Sequence, residues 1–171
     1  MNSTNTANYD VVVTSQSGSA TSGAGTLTVI HPVSTQNDGV PDNWKPAHGI
    51  DPNSAAAING HLGDIDEDGH SNFLEYAFNT DPQVKESDIV QSATNSGYFE
   101  ITFPMRVAVV DLLYSVEVSE DLLTWSDAAG NYQVLSITPD LGGITDTVTV
   151  RILPAMTNAA KKFVRIKVTA Q

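Results

Sequence analysis

Residues 145–152 read TDTVTVRI, and this stretch decides the fold. Val148, Val150 and Ile152 alternate with Thr147, Thr149 and Arg151, a period of two that sends apolar side chains to one face of a strand and polar ones to the other. Outward from it, the same alternation recurs at 98–103, 113–119, 132–137 and 162–169, with a weaker run at 89–91. The predicted inward faces are Phe99, Ile101 and Phe103; Tyr114, Val116 and Val118; Leu135 and Ile137; Val148, Val150 and Ile152; Val164, Ile166 and Val168. The opposite faces carry Glu100, Ser115, Glu117, Thr147, Thr149, Arg151, Arg165 and Lys167, the pattern of antiparallel sheets wet on one side. A mainly β protein follows, with residues 83–171 read as an antiparallel β-sandwich domain.

Residues 1–30 hold two further β-type runs, 9–14 (YDVVVT) and 25–30 (GTLTVI), around the linker SQSGSATSGA. They predict a hairpin with a long loop, with Tyr9, Val11 and Val13 on one face and Leu27 with Val29 on a face of the partner strand. A two-stranded ribbon is not stable alone. Its apolar side must find a sheet, in its own chain or in another copy.

The chain carries 20 Asp and Glu against 8 Lys and Arg, which argues against nucleic acid as a partner. The imbalance is concentrated between residues 34 and 82, where nine acids face one base, Lys45. Five of the eight bases fall in the last 21 residues, so the two parts differ in sign and copies of the chain can attract one another. There is no cysteine, hence neither a disulfide nor a thiolate metal site. No apolar stretch is long enough to span a membrane, and Met1 is followed by polar residues rather than by a leader pattern. The expectation is a soluble chain, either processed or a fragment, with cytoplasmic residence as the alternative.

Within the acidic middle, residues 64–75 read DIDEDGHSNFLE. A calcium loop needs six or seven hard oxygens around one ion, drawn from short carboxylates at alternate positions, with a glycine at the sharp turn. Asp64, Asp66 and Asp68 stand at positions one, three and five, and Gly69 at six. The carbonyl of His70 falls at seven, Asn72 at nine, and the closing carboxylate of Glu75 at twelve. An ordinary solvated acidic turn is the alternative, but four carboxylates at close range repel unless a cation joins them. Magnesium fits less well, because it prefers a tighter, wetter shell. The following segment, 72–78, is expected to be a short helix whose Phe73, Leu74, Ala77 and Phe78 form an apolar plug on a neighbouring sheet.

Residues 34–45, STQNDGVPDNWK, form a partial counterpart. With Gly39 at position six, Asp38 and Asp42 hold positions five and nine, but Ser34, Gln36 and Lys45 stand where carboxylates belong. Asp51 is a further donor for a second metal site of Asp38, Asp42 and Asp51. An Asp-Gly turn leading into a helix near residues 41–47 explains the same residues equally well.

The phrase DGVPDNWKPAHGIDP followed by DIDEDGHSNFLEYAFNTDP resembles the paired calcium motif of thrombospondin type 3-like repeats in bacterial secreted and surface proteins. The resemblance implies calcium at Asp64, Asp66, Asp68, Asn72 and Glu75, and an extracellular or cell-surface setting. Residues 83–171, through YSVEVSEDLLTWSDA and KKFVRIKVT, resemble the β-rich domain that follows such repeats. Residues 1–30 are similar to the F–G strand pair of an immunoglobulin-like domain, with Tyr9 at the tyrosine-corner position and Val11 where the second cysteine would be. The implied organisation is an incomplete immunoglobulin-like hairpin (1–30), a calcium segment (31–82) and a β-sandwich (83–171).

Nothing in the sequence assembles a catalytic set. His31, His48, His61 and His70 lack ligand spacing on a helix, no nucleophile motif is present, and Glu100, Glu117 and Glu120 fall on outer faces or strand ends. Trp44 and Trp125 suit packing better than sugar stacking. The expected function is a non-catalytic, calcium-stabilised structural or adhesive module, assembling into filaments by strand complementation between copies. The runner-up is a tail module of a larger secreted enzyme or adhesin that binds surface polysaccharide or attaches to the cell surface.

Overall fold

The alternating runs become strands in the computed structural model, which describes residues 4–30, 33–107, 109, 111–155 and 161–171. In chain order these residues form β1 (Thr4–Tyr9), β2 (Val12–Ser15), β3 (Gly18–Thr21) and β4 (Gly25–Ile30). Two 3-10 turns, Lys45–His48 and Ala57–Asn59, precede the helix α1 (Asn72–Phe78). Strands β5 (Gln91–Asn95), β6 (Tyr98–Arg106), β7 (Leu112–Ser119), β8 (Tyr132–Pro139), β9 (Thr145–Ile152) and β10 (Phe163–Ala170) complete the fold. It is mainly β and its sheets are antiparallel, as the sequence predicts.

The larger sheet runs β5-β6-β9-β8, and β7 pairs with β10 in a second sheet of two strands. Register sets Ile101 opposite Val150, Phe103 opposite Val148 and Val116 opposite Ile166, so apolar residues meet across each ladder. Side chains of both sheets enter one core of Ile101, Phe103, Val116, Val118, Val148, Val150 and Ile152, joined by Ile89 and by Phe78 of α1. The weak run at 89–91 starts its strand later than expected, at Gln91. The β5–β6 connection turns through Ser96 and Gly97, both at positive φ (50° and 80°), which matches the tight hairpin geometry favoured by strand twist.

Strand β8 departs from the predicted faces. Leu135 and Ile137, expected inward, are exposed. The strand lies at the sheet edge, and its pairing with β9 slips between Val134 and Ser136, so Leu135 is an extra residue that ends the simple alternation. The charged face also differs from a plain wet surface. Glu100 and Glu117 are nearly buried under the cations directly opposite them in register, Arg151 and Arg165. Arg151 Nη2 reaches Glu100 at 2.7 Å, and Arg165 Nη2 with Lys167 Nζ reaches Glu117 at 2.6 and 3.4 Å.

The N-terminal hairpin is longer than the sequence suggests, because the expected loop is itself paired. Val12–Ser15 pairs with Gly18–Thr21, while Gly25–Ile30 takes Thr4–Tyr9 as its partner. Every side chain from Asn8 to Thr26 is exposed, including Tyr9, Val11, Val12 and Val13. The side chains of Leu27 and Val29 lie outside the described residues, as does His31.

Residues 33–82 share apolar side chains with the strands that follow. Val40, Tyr76 and Ala77 are buried with Leu112, and Trp44, Phe73, Tyr114 and Val168 pack around them. The plug expected after the acidic loop therefore divides between two clusters, Phe73 and Ala77 in this one, Leu74 and Phe78 in the main core. Each Trp is half-buried and packed: Trp44 stacks on His48 with ring centroids 4.1 Å apart, and the Arg165 guanidinium covers Trp125 at 4.1 Å.

Candidate metal centre

Residues 64–75 fold as a tight turn leading into α1. Gly69 takes a φ of 95°, the left-handed region that a side chain resists, which is what the sixth position of the loop demands. Ser71 caps the helix by accepting the Leu74 N–H, and Asn79 closes it in a left-handed conformation. The last helical carbonyls find partners on the sheets: Arg106 Nε donates to Tyr76 O, and the Tyr114 hydroxyl donates to Ala77 O. Tyr76 in turn donates its hydroxyl to Asp111 at 2.7 Å. These bonds fix the helix, and the helix fixes Glu75.

Four carboxylates converge: Asp66, Asp68, Glu75 and Glu86 offer oxygens that all lie within 4.8 Å of one another. At that separation two unit charges repel by about 3 kcal/mol at an effective dielectric near ~20. The oxygens are also short of protein donors. Asp66 Oδ2, both Glu75 oxygens and Glu86 Oε2 are buried with no hydrogen-bond partner, and Glu75 is 0% exposed. Unpartnered buried carboxylate oxygens are expensive, and an acidic group of this kind can hold a metal ion. A donor set made only of oxygen suits a hard divalent cation.

The charge state follows the same logic. Burial, with Asp66, Asp68, Glu86 and Asp64 adding to it, pushes the Glu75 carboxyl up to about 8. Burial and neighbouring carboxylates also raise Asp66 and Glu86. Asp68 is the exception. Burial acts to raise it, but the His70 ring, with Nδ1 3.0 Å away, and the N–H groups of His70 and Glu86 outweigh that and hold it low.

The predicted donors are not all placed alike. Asp66, Asp68 and Glu75 are brought together, whereas Asp64 points its oxygens at the N–H groups of Asp68 and Gly69, at 3.2 and 3.0 Å. Asn72 is buried and its amide nitrogen donates to Ile58 O and Gly60 O, leaving Oδ1 unpartnered. This amide ties the 58–63 turn to the helix, and a Cβ at Gly63 would meet Ile58 O at 2.3 Å and Asn72 Nδ2 at 2.8 Å. Glu86 is the fourth acid of the cluster, one that loop spacing does not reveal. It lies eight residues beyond the helix, and its own N–H donates to Asp68 Oδ2 at 3.0 Å, folding the 81–86 segment back over the loop.

No family model, curated protein or solved structure matches the chain. The chemistry of the site rests on its own residues. Among the described residues, Asp38, Asp42 and Asp51 do not gather into a comparable cluster. Asp38 Oδ2 pairs with Lys45, Asp42 accepts the Thr35 N–H, and the exposed Asp51 accepts the Asn53 N–H.

Proposed function

We propose that the chain is an extracellular structural module in which calcium staples the 64–86 segment to the β-sheets, and in which the N-terminal ribbon joins one copy to the next. The buried, unpartnered Glu75 among Asp66, Asp68 and Glu86 carries the metal half of this reading. Calcium fits better than magnesium because the oxygens come from a loop, a helix and a distant return, a looser arrangement than an octahedral ion accepts. The role is that of a joint. The liganding helix is anchored by Arg106 and Tyr114, so the ion would add to the stability of a fixed connection rather than move a lever. Calorimetric titration of chelated protein should give one calcium per chain with little displacement by millimolar magnesium. No heat beyond dilution would sink the reading.

The ribbon supports the assembly half. Its described side chains are exposed, and a two-stranded ribbon gains stability when it docks on a further sheet. Strand β8 offers a sheet edge with Val134, Leu135 and Ile137 exposed, a natural acceptor for strand addition. Such a contact is heterologous and propagates. Size-exclusion chromatography and electron microscopy of the full chain should find oligomers that fall to monomer when Val11 and Val13 are both changed to Lys. A wild-type chain that stays monomeric at high concentration, with and without calcium, would refute assembly while leaving the metal site standing.

A further inference from the structure

The second acid-rich loop, 34–45, is built around a different charge. Lys45 stands twelfth in it, where a metal loop carries its closing carboxylate. Its side chain turns back into the loop and is 0% exposed, with Nζ 2.6 Å from Asp38 Oδ2. The other Asp38 oxygen accepts the Ser34 hydroxyl at 2.8 Å and the Val40 N–H at 3.1 Å. Asp42 accepts the Thr35 N–H through both oxygens, at 3.0 and 3.2 Å. Gly39, sixth in the loop, has a φ of 77° as the turn requires, and a Cβ there would meet Ala170 and Phe73 at 2.9 and 3.1 Å. The backbone thus keeps the turn of a cation loop and is held against the helix and β10, while the carboxylate facing its interior is neutralised from within.

We infer that the 34–45 loop is a cation site whose resident cation is the Lys45 ammonium, and that removing this ammonium opens the loop to a divalent metal. An ammonium and a divalent ion answer the same need, positive charge beside a desolvated carboxylate. Only the ammonium is covalently attached, so it cannot be chelated away. One acid-rich loop then responds to calcium while its neighbour stays folded without it.

The test is Lys45→Gln in the full chain, melted in chelator and in millimolar calcium beside the wild type. Removing one partner of a buried ion pair should lower the melting temperature in chelator by about 10 °C. Calcium should then restore more to Lys45→Gln than it adds to the wild type, and adding Asp38→Asn should abolish that excess. An equal calcium gain in both proteins would overturn the inference, leaving Lys45 an ordinary buried ion pair. So would a wild type that binds two calcium ions and loses one on Asp38→Asn. Should Lys45→Gln not fold, the triple variant Ser34→Asp, Gln36→Asp, Lys45→Glu supplies a full carboxylate set and should bind two calcium ions; a folded triple variant that binds one refutes the proposal. The calcium gain of the wild type reads the 64–86 site and the excess reads this loop, so the two can fail separately.

Discussion

Glu75→Gln should lower the melting temperature in calcium and raise it in chelator. The two arms have one cause. Under the proposed role, calcium at about a thousand times its dissociation constant would stabilise the fold by roughly 4 kcal/mol, about 10 °C for a chain of this size. Gln keeps the volume of Glu but offers one weak oxygen in place of a bidentate carboxylate, so most of that gain should vanish. Without metal the comparison reverses. Wild-type Glu75 is completely buried beside Asp66, Asp68 and Glu86 with neither oxygen partnered, and a neutral amide removes that repulsion. Scanning fluorimetry at pH 8 in both buffers decides it. A variant less stable than wild type under both conditions would mean that Glu75 serves packing alone.

The contrast between Glu75 and Glu86 marks how far this site is legible in the sequence. The carboxylates at 66, 68 and 75 and the glycine at 69 obey a local rule, because a single turn of chain must wrap a single point. Spacing alone is enough to find them. Glu86 reaches the same point by a return path through residues 79–85, and no periodicity encodes it. Asn72 has a second task that its place in the motif does not reveal: its amide nitrogen holds the 58–63 turn, while its Oδ1 stays buried and unpartnered. The strands repeat this lesson. Thr145–Ile152 sits between β6 and β8, and its alternation translates directly into buried and open faces. Strand β8 has the same kind of alternation, yet its edge position and the slip at Leu135 leave its apolar residues exposed. Glu100 and Glu117 look solvated in the sequence, and only the register, which sets each against an Arg, explains their burial.

In chelator the wild type should lose stability as the pH rises from about 5 to 8, against the usual trend for carboxylates. The sign follows from where the proton sits. The Glu75 carboxyl titrates at about 8 in the folded chain and near 4.5 when unfolded, because burial and the surrounding acids oppose its ionisation. Between those values the folded state holds a proton that the unfolded state has released, so each step up in pH favours unfolding. Below the window both states are protonated, and above it both are ionised and the loss is complete, on the order of a few kcal/mol. Asp66 and Glu86, also raised, act in the same direction, while Asp68, held low, acts oppositely but only at pH values beneath the window. Calcium should invert the slope, since metal and protons compete for the same oxygens and binding strengthens as the acids ionise. His70 lies beside Asp68, so the informative quantity is the difference between wild type and Glu75→Gln, followed by chemical denaturation across the range. Parallel curves for the two proteins in chelator would show that Glu75 carries no buried proton, and the electrostatic case for a cation among these four acids would fall with it.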